Sequence, residues 1–356
     1  MRHFPLTLAS ACLALSCVSQ TATEYKQAGA PCLARAAQVD GQAVTWHQGS
    51  PDDAFQLDRW CRAVGPPILV AQPASMLAGT PPALDDLVVV TWNAHMSEGR
   101  LAELVTKLRS GALTEGKPVS HFVLLIQEAY RRGPGVPPFP DDARTAFGIV
   151  PGDTTQPDAV AQAVGMGLSA WYVPSMRNGR DMREDRGSAI VSTEPLRDPR
   201  ALELPLARQR RVVAGVTVTV RTERGPAQLH VWSAHLEPVS SPQTLWLFHN
   251  PRQGQVRAIL SVLGMPAVAG SAPSAGIVLG GDFNTIKNGD DESAYTLARQ
   301  WSTSLAGEDR RRTHMMGRLD YLFFRLAEGW QAQVRRADDK FGSDHYPVAG
   351  RFVPSR

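Results

Sequence analysis

The spacing of apolar residues along the chain predicts a mixture of amphipathic helices and strands. One helix is predicted between Arg100 and Ser110, where four apolar residues recur on a single helical face: Leu101, Leu104, Val105 and Leu108. A second helix is predicted after Pro251, from the apolar positions Val256, Ile259, Leu260 and Leu263. From Val212 to Val220 the residues alternate as in a half-buried strand.

Several apolar runs have the length of a strand and carry polar side chains near one end. They cover residues 88–93, 122–128, 229–236, 277–284 and 318–324. The most informative run leads into Gly280-Gly281-Asp282-Phe283-Asn284-Thr285. Because extended chain alternates sides, Asp282 and Asn284 point the same way, and the paired glycines allow backbone or ligand to approach closely. Apart from the run with the paired glycines, each run alone is more typical of a strand that leaves the sheet for solvent, so the interpretation rests on the whole set.

In chain order, and together with Ser343-Asp344-His345 near the C-terminus, this set resembles the endonuclease/exonuclease/phosphatase superfamily, the DNase I-like phosphoesterases. The resemblance extends from Leu87 to Arg351. It implies an α/β (α+β) fold: a four-layer αββα sandwich in which two mixed β-sheets pack face to face with helices outside. It also implies an enzyme, a metal-dependent phosphoester hydrolase.

The resemblance implies that three side chains hold a divalent cation: Asn93, Glu128 and Asp344. Magnesium needs one or two carboxylates together with amide or water oxygens, and these residues supply such a set. The chain lacks the short helical His pairs and the Cys pairs that are typical of zinc sites. Mg²⁺ is therefore the expected cofactor, with Mn²⁺ as the alternative.

The resemblance assigns catalytic roles to four further residues. It implies that Asp282 positions or deprotonates the attacking water, while Asn284 steadies the phosphoryl group. It implies that His345 contacts the phosphate and that Asp320 orients this histidine. A carboxylate beside an imidazole also favours the cationic form of the ring.

His235 matches the histidine of a Thr-His-Leu motif in this superfamily, although Ala234 stands where threonine is usual. No carboxylate partner for His235 is evident in the sequence. Two roles stay open: donating a proton to the leaving oxygen, or binding a non-bridging oxygen. We also expect His235, Asn284 and Arg186 to bind substrate.

The net charge of +3 and the pI of about 8.7 indicate a mildly basic protein. This is less than the excess typical of proteins whose affinity rests on many backbone phosphates. The arginines cluster in loops, which predicts a cationic rim around the site; an ordinary solvated role is the alternative. These clusters comprise Arg131 and Arg132; Arg177, Arg180, Arg183 and Arg186; and Arg310, Arg311 and Arg312.

The chain has 356 residues, 43% of them apolar, enough for one large catalytic domain with a modest N-terminal extension. Residues 1–20 are interpreted as an export signal, because Arg2 and His3 precede a short apolar run rich in small residues. The signal ends either at a lipidated Cys17 or at a cleavage site a few residues later. We therefore expect a periplasmic, extracellular or lipid-anchored protein of a bacterial envelope, without a membrane span in the mature chain.

Cys32 and Cys61 are the cysteines outside the signal, and in an oxidising compartment they are predicted to form a disulfide. Both fall in an extension at 21–84, which contains Trp46 and Trp60. We expect this extension to pack on the catalytic domain at 85–354.

The expected substrate is a phosphodiester in nucleic acid. The alternative is a phospholipid, sphingomyelin or inositol-phosphate head group, since Trp246, Leu247, Phe248 and His249 form a candidate apolar finger. A catalytically silent binding protein or toxin subunit on the same fold represents a different class. The presence of every polar residue that the chemistry requires argues against it. A monomer is favoured.

Overall fold

A computed structural model describes residues 23–24, 38–39, 41–48, 54–70, 79–138, 157–177, 183–238, 251–263, 273–285 and 298–355. Within these ranges the longer helices are α1 (Ala54–Ala63), α2 (Leu101–Arg109), α3 (Ala159–Gly165) and α4 (Pro251–Leu263). The apolar spacing predicted α2 and α4, and both helices are confirmed. A short 3₁₀ turn, Leu84–Asp86, precedes the first long strand.

Seven of the described strands form one mixed sheet. In spatial order they are β1 (Thr23–Glu24), β4 (Thr45–Gln48), β10 (Arg197–Glu203), β11 (Val212–Thr222), β12 (Gly225–His235), β13 (Ser274–Asp282) and β15 (Asp320–Leu326). Strands β12 and β13 are parallel, whereas β13 and β15 are antiparallel. The strand predicted at 212–220 is confirmed as part of β11.

Eight other described strands form the second sheet. In spatial order they are β14 (Leu305–Glu308), β16 (Trp330–Arg336), β17 (Val348–Pro354), β6 (Leu87–Asn93), β7 (His121–Arg132), β9 (Glu184–Ser192), β8 (Ser169–Arg177) and β5 (Ile68–Val70). Strands β6 and β7 are parallel. A separate pair consists of β2 (Gln38–Val39) and β3 (Gln42–Ala43).

The two large sheets pack face to face, and helices cover their outer faces. The layer between the sheets contains branched and aromatic side chains from both, among them Val89, Leu125, Val231, Val278 and Phe324. Because side chains alternate along a strand, Val88 and Val90 of β6 face α2 instead. Helix α4 packs on the outer face of the seven-stranded sheet. The predicted four-layer αββα sandwich is confirmed.

The chain before β6 contributes β1 and β4 to the seven-stranded sheet and β5 to the eight-stranded sheet. Strand β4 pairs with β10, and β5 pairs with β8. A buried carboxylate, Asp185, connects the end of this segment to β7: it accepts hydrogen bonds from the Gly65 N–H (2.8 Å) and from Arg131 Nε (3.0 Å). The division into 21–84 and 85–354 stays a prediction.

The predicted export signal at 1–20 lies outside the described residues. Cys32 also lies outside them, so its disulfide with the buried Cys61 stays a prediction. No helix in the described part of the chain is both long and apolar enough to cross a membrane.

Candidate active site

The sheet topology brings several strand ends to one edge of the sandwich. Asn93 lies opposite Gln127 at the ends of the parallel strands β6 and β7. His235 lies opposite Asp282 at the ends of the parallel strands β12 and β13. Since β15 runs antiparallel to β13, its first residue, Asp320, also faces Asp282. Ligands of open α/β sheets commonly bind at the carboxyl ends of parallel strands, and the polar side chains meet at this edge.

Asp282 is buried where these strands end. Its Oδ2 accepts a hydrogen bond from Asn93 Nδ2 at 2.9 Å, and its Oδ1 accepts one from the Asn284 N–H at 2.8 Å. The same Oδ2 lies 3.6 Å from His235 Nε2 and 3.9 Å from His345 Nε2. Burial, reinforced by the facing carboxylate of β15, raises the pKa of Asp282 to about 7. This carboxyl group can therefore exchange a proton near neutral pH.

Asn284 is hydrogen-bonded to Leu236, the residue that follows β12. Its φ of +50° places the residue in the left-handed region, and its Nδ2 donates to the carbonyl oxygen of Leu236 at 3.0 Å. The Leu236 N–H in turn donates to the carbonyl oxygen of Asp282 at 3.0 Å. These bonds hold the carboxamide beside the strand end that carries His235.

His345 and Asp320 form a buried pair, with Nδ1 2.7 Å from Oδ2. Thr313 Oγ1 accepts hydrogen bonds from the N–H groups of Leu319 (2.9 Å) and Asp320 (3.0 Å), which fixes the start of β15. Burial lowers the pKa of His345, but the surrounding carboxylates, led by Asp320, outweigh this effect and raise the pKa to about 10. The ring is therefore cationic at neutral pH.

His235 has different electrostatic surroundings. Burial lowers its pKa well below the usual value, and the positive charges of Arg211, Arg186 and His345 lower it further. Arg211 is itself buried, with its Nε 3.9 Å from a carboxylate oxygen of Glu237. The ring of His235 is therefore neutral at neutral pH, and the two histidines of the site differ in charge.

A turn after β6 connects two of the predicted metal ligands. His95, Met96 and Ser97 have successive φ angles of +46°, +52° and +59°, a conformation that is uncommon for residues other than glycine. This turn directs the His95 N–H to Asn93 Oδ1 at 3.0 Å and the Met96 N–H to Glu128 Oε2 at 2.9 Å. Backbone donors therefore orient both the carboxamide and the carboxylate.

Glu128 projects from a bulge in β7. The pairing with β9 shifts register between Ile126 and Ala129, and Glu128 has a φ of +53°. A bulge redirects a side chain from the regular alternation of its strand. The carboxylate thereby reaches the turn after β6, and its Oε2 also lies 3.7 Å from Arg186 Nη1.

Asp344 lies in the loop before β17, and imidazoles flank its carboxylate. Oδ1 is 3.1 Å from His95 Nδ1, and Oδ2 is 3.1 Å from His314 Nε2. His345 Nε2 lies 3.7 Å from Oδ1. Burial raises the pKa of this carboxyl group, but the close contact with His95 and the charges of the nearby imidazoles hold it below its usual range.

Two groups of donor atoms at this edge could hold a divalent cation, and neither group contains the predicted ligand Glu128. In the described part of the chain, the ligand atoms of Asp282, Asp320 and His345 lie within 4.8 Å of one another, and so do those of His314, Asp344 and His345. Oδ1 of Asp320 is buried without a hydrogen-bond partner. Several buried carboxylates are costly unless positive charge compensates them, and oxygen donors are the ligands that Mg²⁺ prefers.

The predicted cationic rim is wrong for three of its arginines. Arg131 is buried in an ion pair with Asp185. Arg177 is buried and donates to a backbone carbonyl. Arg311 pairs with two aspartates. These guanidinium groups attach elements of the fold to one another, because a buried or paired charge is most stable beside a fixed acceptor.

Other arginines of the predicted rim lie at the site or are exposed, as the prediction requires. Arg186 is at the site, beside Glu128, and the side chain of Arg310 is 74% exposed in the loop before β15. Arg312 is also exposed in that loop. Arg180 lies outside the described residues.

The structure places four residues at the site that the sequence analysis missed: His95, Arg211, Thr313 and His314. Each lies in a turn or just before a strand, where periodicity gives no signal. The segment 246–249, the candidate apolar finger, lies outside the described residues.

The model of the Endonuclease/Exonuclease/phosphatase family matches residues 90–345. No curated protein sequence matches the chain significantly. Three similar solved structures are low in identity, and at their TM-scores they carry no argument about function.

The human Nocturnin catalytic domain with bound sulfate anion is 14% identical, with a TM-score of 0.44, over 78% of this chain and 97% of that chain. Sphingomyelinase C from Streptomyces griseocarneus is 18% identical, with a TM-score of 0.41, over 74% of this chain and 98% of that chain. D. rerio TDP2 complexed with single strand DNA product is 14% identical, with a TM-score of 0.43, over 75% of this chain and 98% of that chain.

Proposed function

Since the chain belongs to the Endonuclease/Exonuclease/phosphatase family of metal-dependent phosphoester hydrolases, we propose that it is an exported, Mg²⁺-dependent phosphodiesterase that acts on nucleic acid. The observation that best supports this proposal is the setting of Asp282: a buried carboxyl group with a near-neutral pKa, between a carboxamide and two histidines of opposite protonation state.

Asp282 is the proposed group that positions and deprotonates the attacking water. A pKa close to the working pH allows a general base to be ionised and still to accept a proton. The hydrogen bonds from Asn93 Nδ2 and from the Asn284 N–H fix the carboxylate, so its rotation is restricted. A fixed base lowers the entropic cost of aligning water with the scissile bond.

Asn93, Glu128 and Asp344 are the proposed cation ligands. A bound Mg²⁺ would supply positive charge to the non-bridging phosphate oxygens, where negative charge is spread in the transition state. The contribution of the protein is to hold the oxygen donors in place: backbone N–H groups of the turn after β6 orient Asn93 and Glu128.

The two histidines are proposed to divide the binding of the phosphate. Because Nδ1 of His345 is hydrogen-bonded to Asp320, its Nε2–H is the group that can donate a hydrogen bond to a phosphate oxygen. The ring carries a full positive charge, which strengthens that bond. His235 is neutral, which favours the second of its two open roles, a hydrogen bond to a non-bridging oxygen. Asn284, held beside His235, steadies the same phosphoryl group.

The positions of three arginines favour a polyanionic substrate. The guanidinium group of Arg186 lies beside Glu128, next to the proposed cation site. Arg310 and Arg312 are exposed in the loop that leads to His314. Contacts of arginine with flanking phosphates are the sequence-independent basis of nucleic-acid binding.

A tight turn favours a second candidate, hydrolysis of a phospholipid head group. His314 and Gly317 exchange two backbone hydrogen bonds, and the turn between them presents Met315 and Met316, which are 80% and 52% exposed. Because His314 contacts Asp344, these apolar side chains lie beside the site. Exposed apolar groups next to a polar site can contact a lipid surface.

A single hydrolysis screen tests the substrate. The full-length protein and its Asp282→Asn variant are assayed with plasmid DNA, RNA, sphingomyelin vesicles and phosphoinositide vesicles, each with Mg²⁺ and with EDTA. We expect hydrolysis of DNA or RNA that requires both Mg²⁺ and Asp282. Hydrolysis of lipid alone would replace nucleic acid by the second candidate. Inactivity on all four substrates would favour the silent binding protein or toxin subunit.

Export is supported by the sequence of residues 1–20 alone. Expression of the full chain in a bacterium, followed by fractionation and N-terminal sequencing, tests it. We expect a shortened N-terminus in the periplasm, medium or membrane fraction; a chain that keeps Met1 and stays in the cytosol would contradict export. A lipid-modified Cys17 would distinguish the anchored form from simple cleavage.

A further inference from the structure

The carboxylate of Asp344 is held by two histidines that belong to no predicted motif. Its Oδ1 lies 3.1 Å from His95 Nδ1, and its Oδ2 lies 3.1 Å from His314 Nε2. The side chain of Asp344 is 38% exposed and stands in a loop, where a short carboxylate ordinarily samples several rotamers. Here each of its oxygens has a separate imidazole partner.

The turn that carries His314 determines which ring nitrogen is protonated. The Met316 N–H donates to His314 Nδ1 at 3.1 Å, so Nδ1 must be an acceptor. The proton of the ring is therefore on Nε2, the nitrogen that faces Asp344. The His314 ring also lies over the His345 ring, with centroids 4.6 Å apart at an interplanar angle of 31°. The backbone hydrogen bond thus makes Nε2 of His314 a donor, and the ring contact restricts the orientation of the ring.

His95 is fixed by its own backbone. Its φ of +46° and its N–H bond to Asn93 Oδ1 place the residue in the turn that orients the other two proposed cation ligands. Its Nδ1 lies 3.1 Å from Asp344 Oδ1, in ion-pair range, although that oxygen is buried without a hydrogen-bond partner. One turn therefore connects Asn93, Glu128 and Asp344 through two backbone donors and one side-chain contact.

We propose that His95 and His314 are positioning residues that hold the carboxylate of Asp344 in the orientation required to bind the divalent cation. This inference rests on the proposed metal role of Asp344. Oδ2 accepts the hydrogen bond from His314, while Oδ1, in contact with His95, is buried without a hydrogen-bond partner, so lone pairs of both oxygens stay open to the cation. Partners that orient a metal ligand in this way typically change metal affinity by about 10- to 100-fold when they are removed.

The two histidines use different ring nitrogens, and this allows a paired test. The side-chain nitrogen of glutamine lies near the place of a histidine Nε2, whereas that of asparagine lies near the place of Nδ1. At position 314, His314→Gln should keep the donor and His314→Asn should lose it. At position 95 the order is reversed: His95→Asn should keep the donor and His95→Gln should lose it.

The measurement is the dissociation constant of Mn²⁺, followed by the loss of the free-ion EPR signal on titration of the full-length protein. We expect His314→Asn and His95→Gln to weaken Mn²⁺ binding by about 10-fold or more, while His314→Gln and His95→Asn stay within about threefold of wild type. His121→Asn and His121→Gln are matched controls. His121 is paired with Glu194 and lies at the start of β7, away from the site, so neither change should affect Mn²⁺ binding. Thermal melts confirm that each variant is folded.

Three outcomes would overturn the inference. If all four variants bind Mn²⁺ as wild type does while Asp344→Asn does not, the carboxylate is a ligand that needs no positioning. If both variants at a position are equally weak, the loss does not follow the donor. If the ¹⁴N coupling in the pulsed EPR spectrum of bound Mn²⁺ disappears in His314→Gln or His95→Asn, that histidine is a ligand. Failure of the wild type to bind Mn²⁺ at all would instead reject the proposed cation site.

Discussion

Asp282 and Asp320 face each other directly on the neighbouring strands β13 and β15, and both carboxyl groups are buried. Two like charges opposite each other in a sheet repel. The cationic ring of His345 compensates this repulsion, because its Nδ1 is 2.7 Å from Asp320 and its Nε2 is 3.9 Å from Asp282. The proton occupancy of Asp282 and that of His345 are therefore linked, and both have measurable consequences.

The rate should depend on pH through Asp282. A general base must be ionised, and the pKa of Asp282 is raised to about 7, so kcat/KM should increase as the pH rises through about 7. Asp282→Asn should reduce kcat/KM by about 10²- to 10⁴-fold and remove this rise. The measurement is a pH–rate profile from about pH 5 to about pH 9. A flat wild-type profile would argue against Asp282 as the base.

Stability should depend on pH through His345. Its pKa rises from 6.5 to about 10 on folding, so the protonated pair with Asp320 contributes its full stability below about pH 6.5. This contribution is lost as the pH rises through about 10. In EDTA, the melting temperature of the wild type should therefore fall more steeply between pH 7 and about 10 than that of His345→Gln. Parallel slopes for the two proteins would show that the pair does not contribute.

Removal of the charge of Glu128 should abolish most of the activity without unfolding the protein. Glu128→Gln keeps an oxygen that can accept the Met96 N–H but loses the negative charge proposed to bind the cation. We expect the rate to fall by about two orders of magnitude or more and the melting temperature to change little. Glu115→Gln, at an exposed glutamate paired with Arg335, is the matched control. Full activity of Glu128→Gln in excess chelator would be incompatible with a cation at this carboxylate.

The effect of replacing His235 on substrates with different leaving groups should reveal the role of this histidine. A neutral ring that binds a non-bridging oxygen assists every substrate equally, because all phosphodiesters carry such oxygens. We therefore expect His235→Ala to lower kcat/KM by a similar factor, about 10²-fold, for an activated aryl phosphodiester and for an alkyl phosphodiester. A much larger loss on the alkyl ester, whose leaving group needs a proton, would restore the role of proton donor to His235.

The predicted disulfide is accessible to a direct test. Protein recovered from an oxidising compartment should show Cys32 and Cys61 reacting with a thiol reagent only after reduction and unfolding. Mass spectrometry of unreduced peptides should identify the pair. Alkylation of either cysteine in the unfolded, unreduced protein would exclude the bridge.

The sequence predicted the strands that form the site well, because their apolar runs are long and regular. The runs at 88–93 and 277–284 overlap β6 and β13, and the face-to-face packing of the two sheets brings Asn93 to Asp282 across 189 positions of chain. The left-handed turn after β6 was beyond the sequence analysis. His95, Met96 and Ser97 are ordinary residues in a conformation that tertiary contacts impose.

The exposure of the arginine side chains was predicted less well than the positions of the strands. Loops were predicted for Arg131 and Arg177, yet both residues belong to strands, β7 and β8, and both are buried. Whether a guanidinium is exposed depends on an acceptor elsewhere in the chain, such as Asp185, 54 positions from Arg131. His314 illustrates the same difficulty, since its partner Asp344 lies 30 positions away. Long-range polar pairing carries no local signature.

Strands β4 and β5 limit how far the N-terminus of the protein can be shortened. A fragment that begins near residue 85, at the predicted domain boundary, would remove the neighbour of β10 in one sheet and of β8 in the other. Two rows of backbone donors and acceptors would then be open to pairing with other molecules, which is a common cause of aggregation. Soluble production should therefore improve when the coding region retains residues 38–84, and light scattering of the two fragments would show the difference.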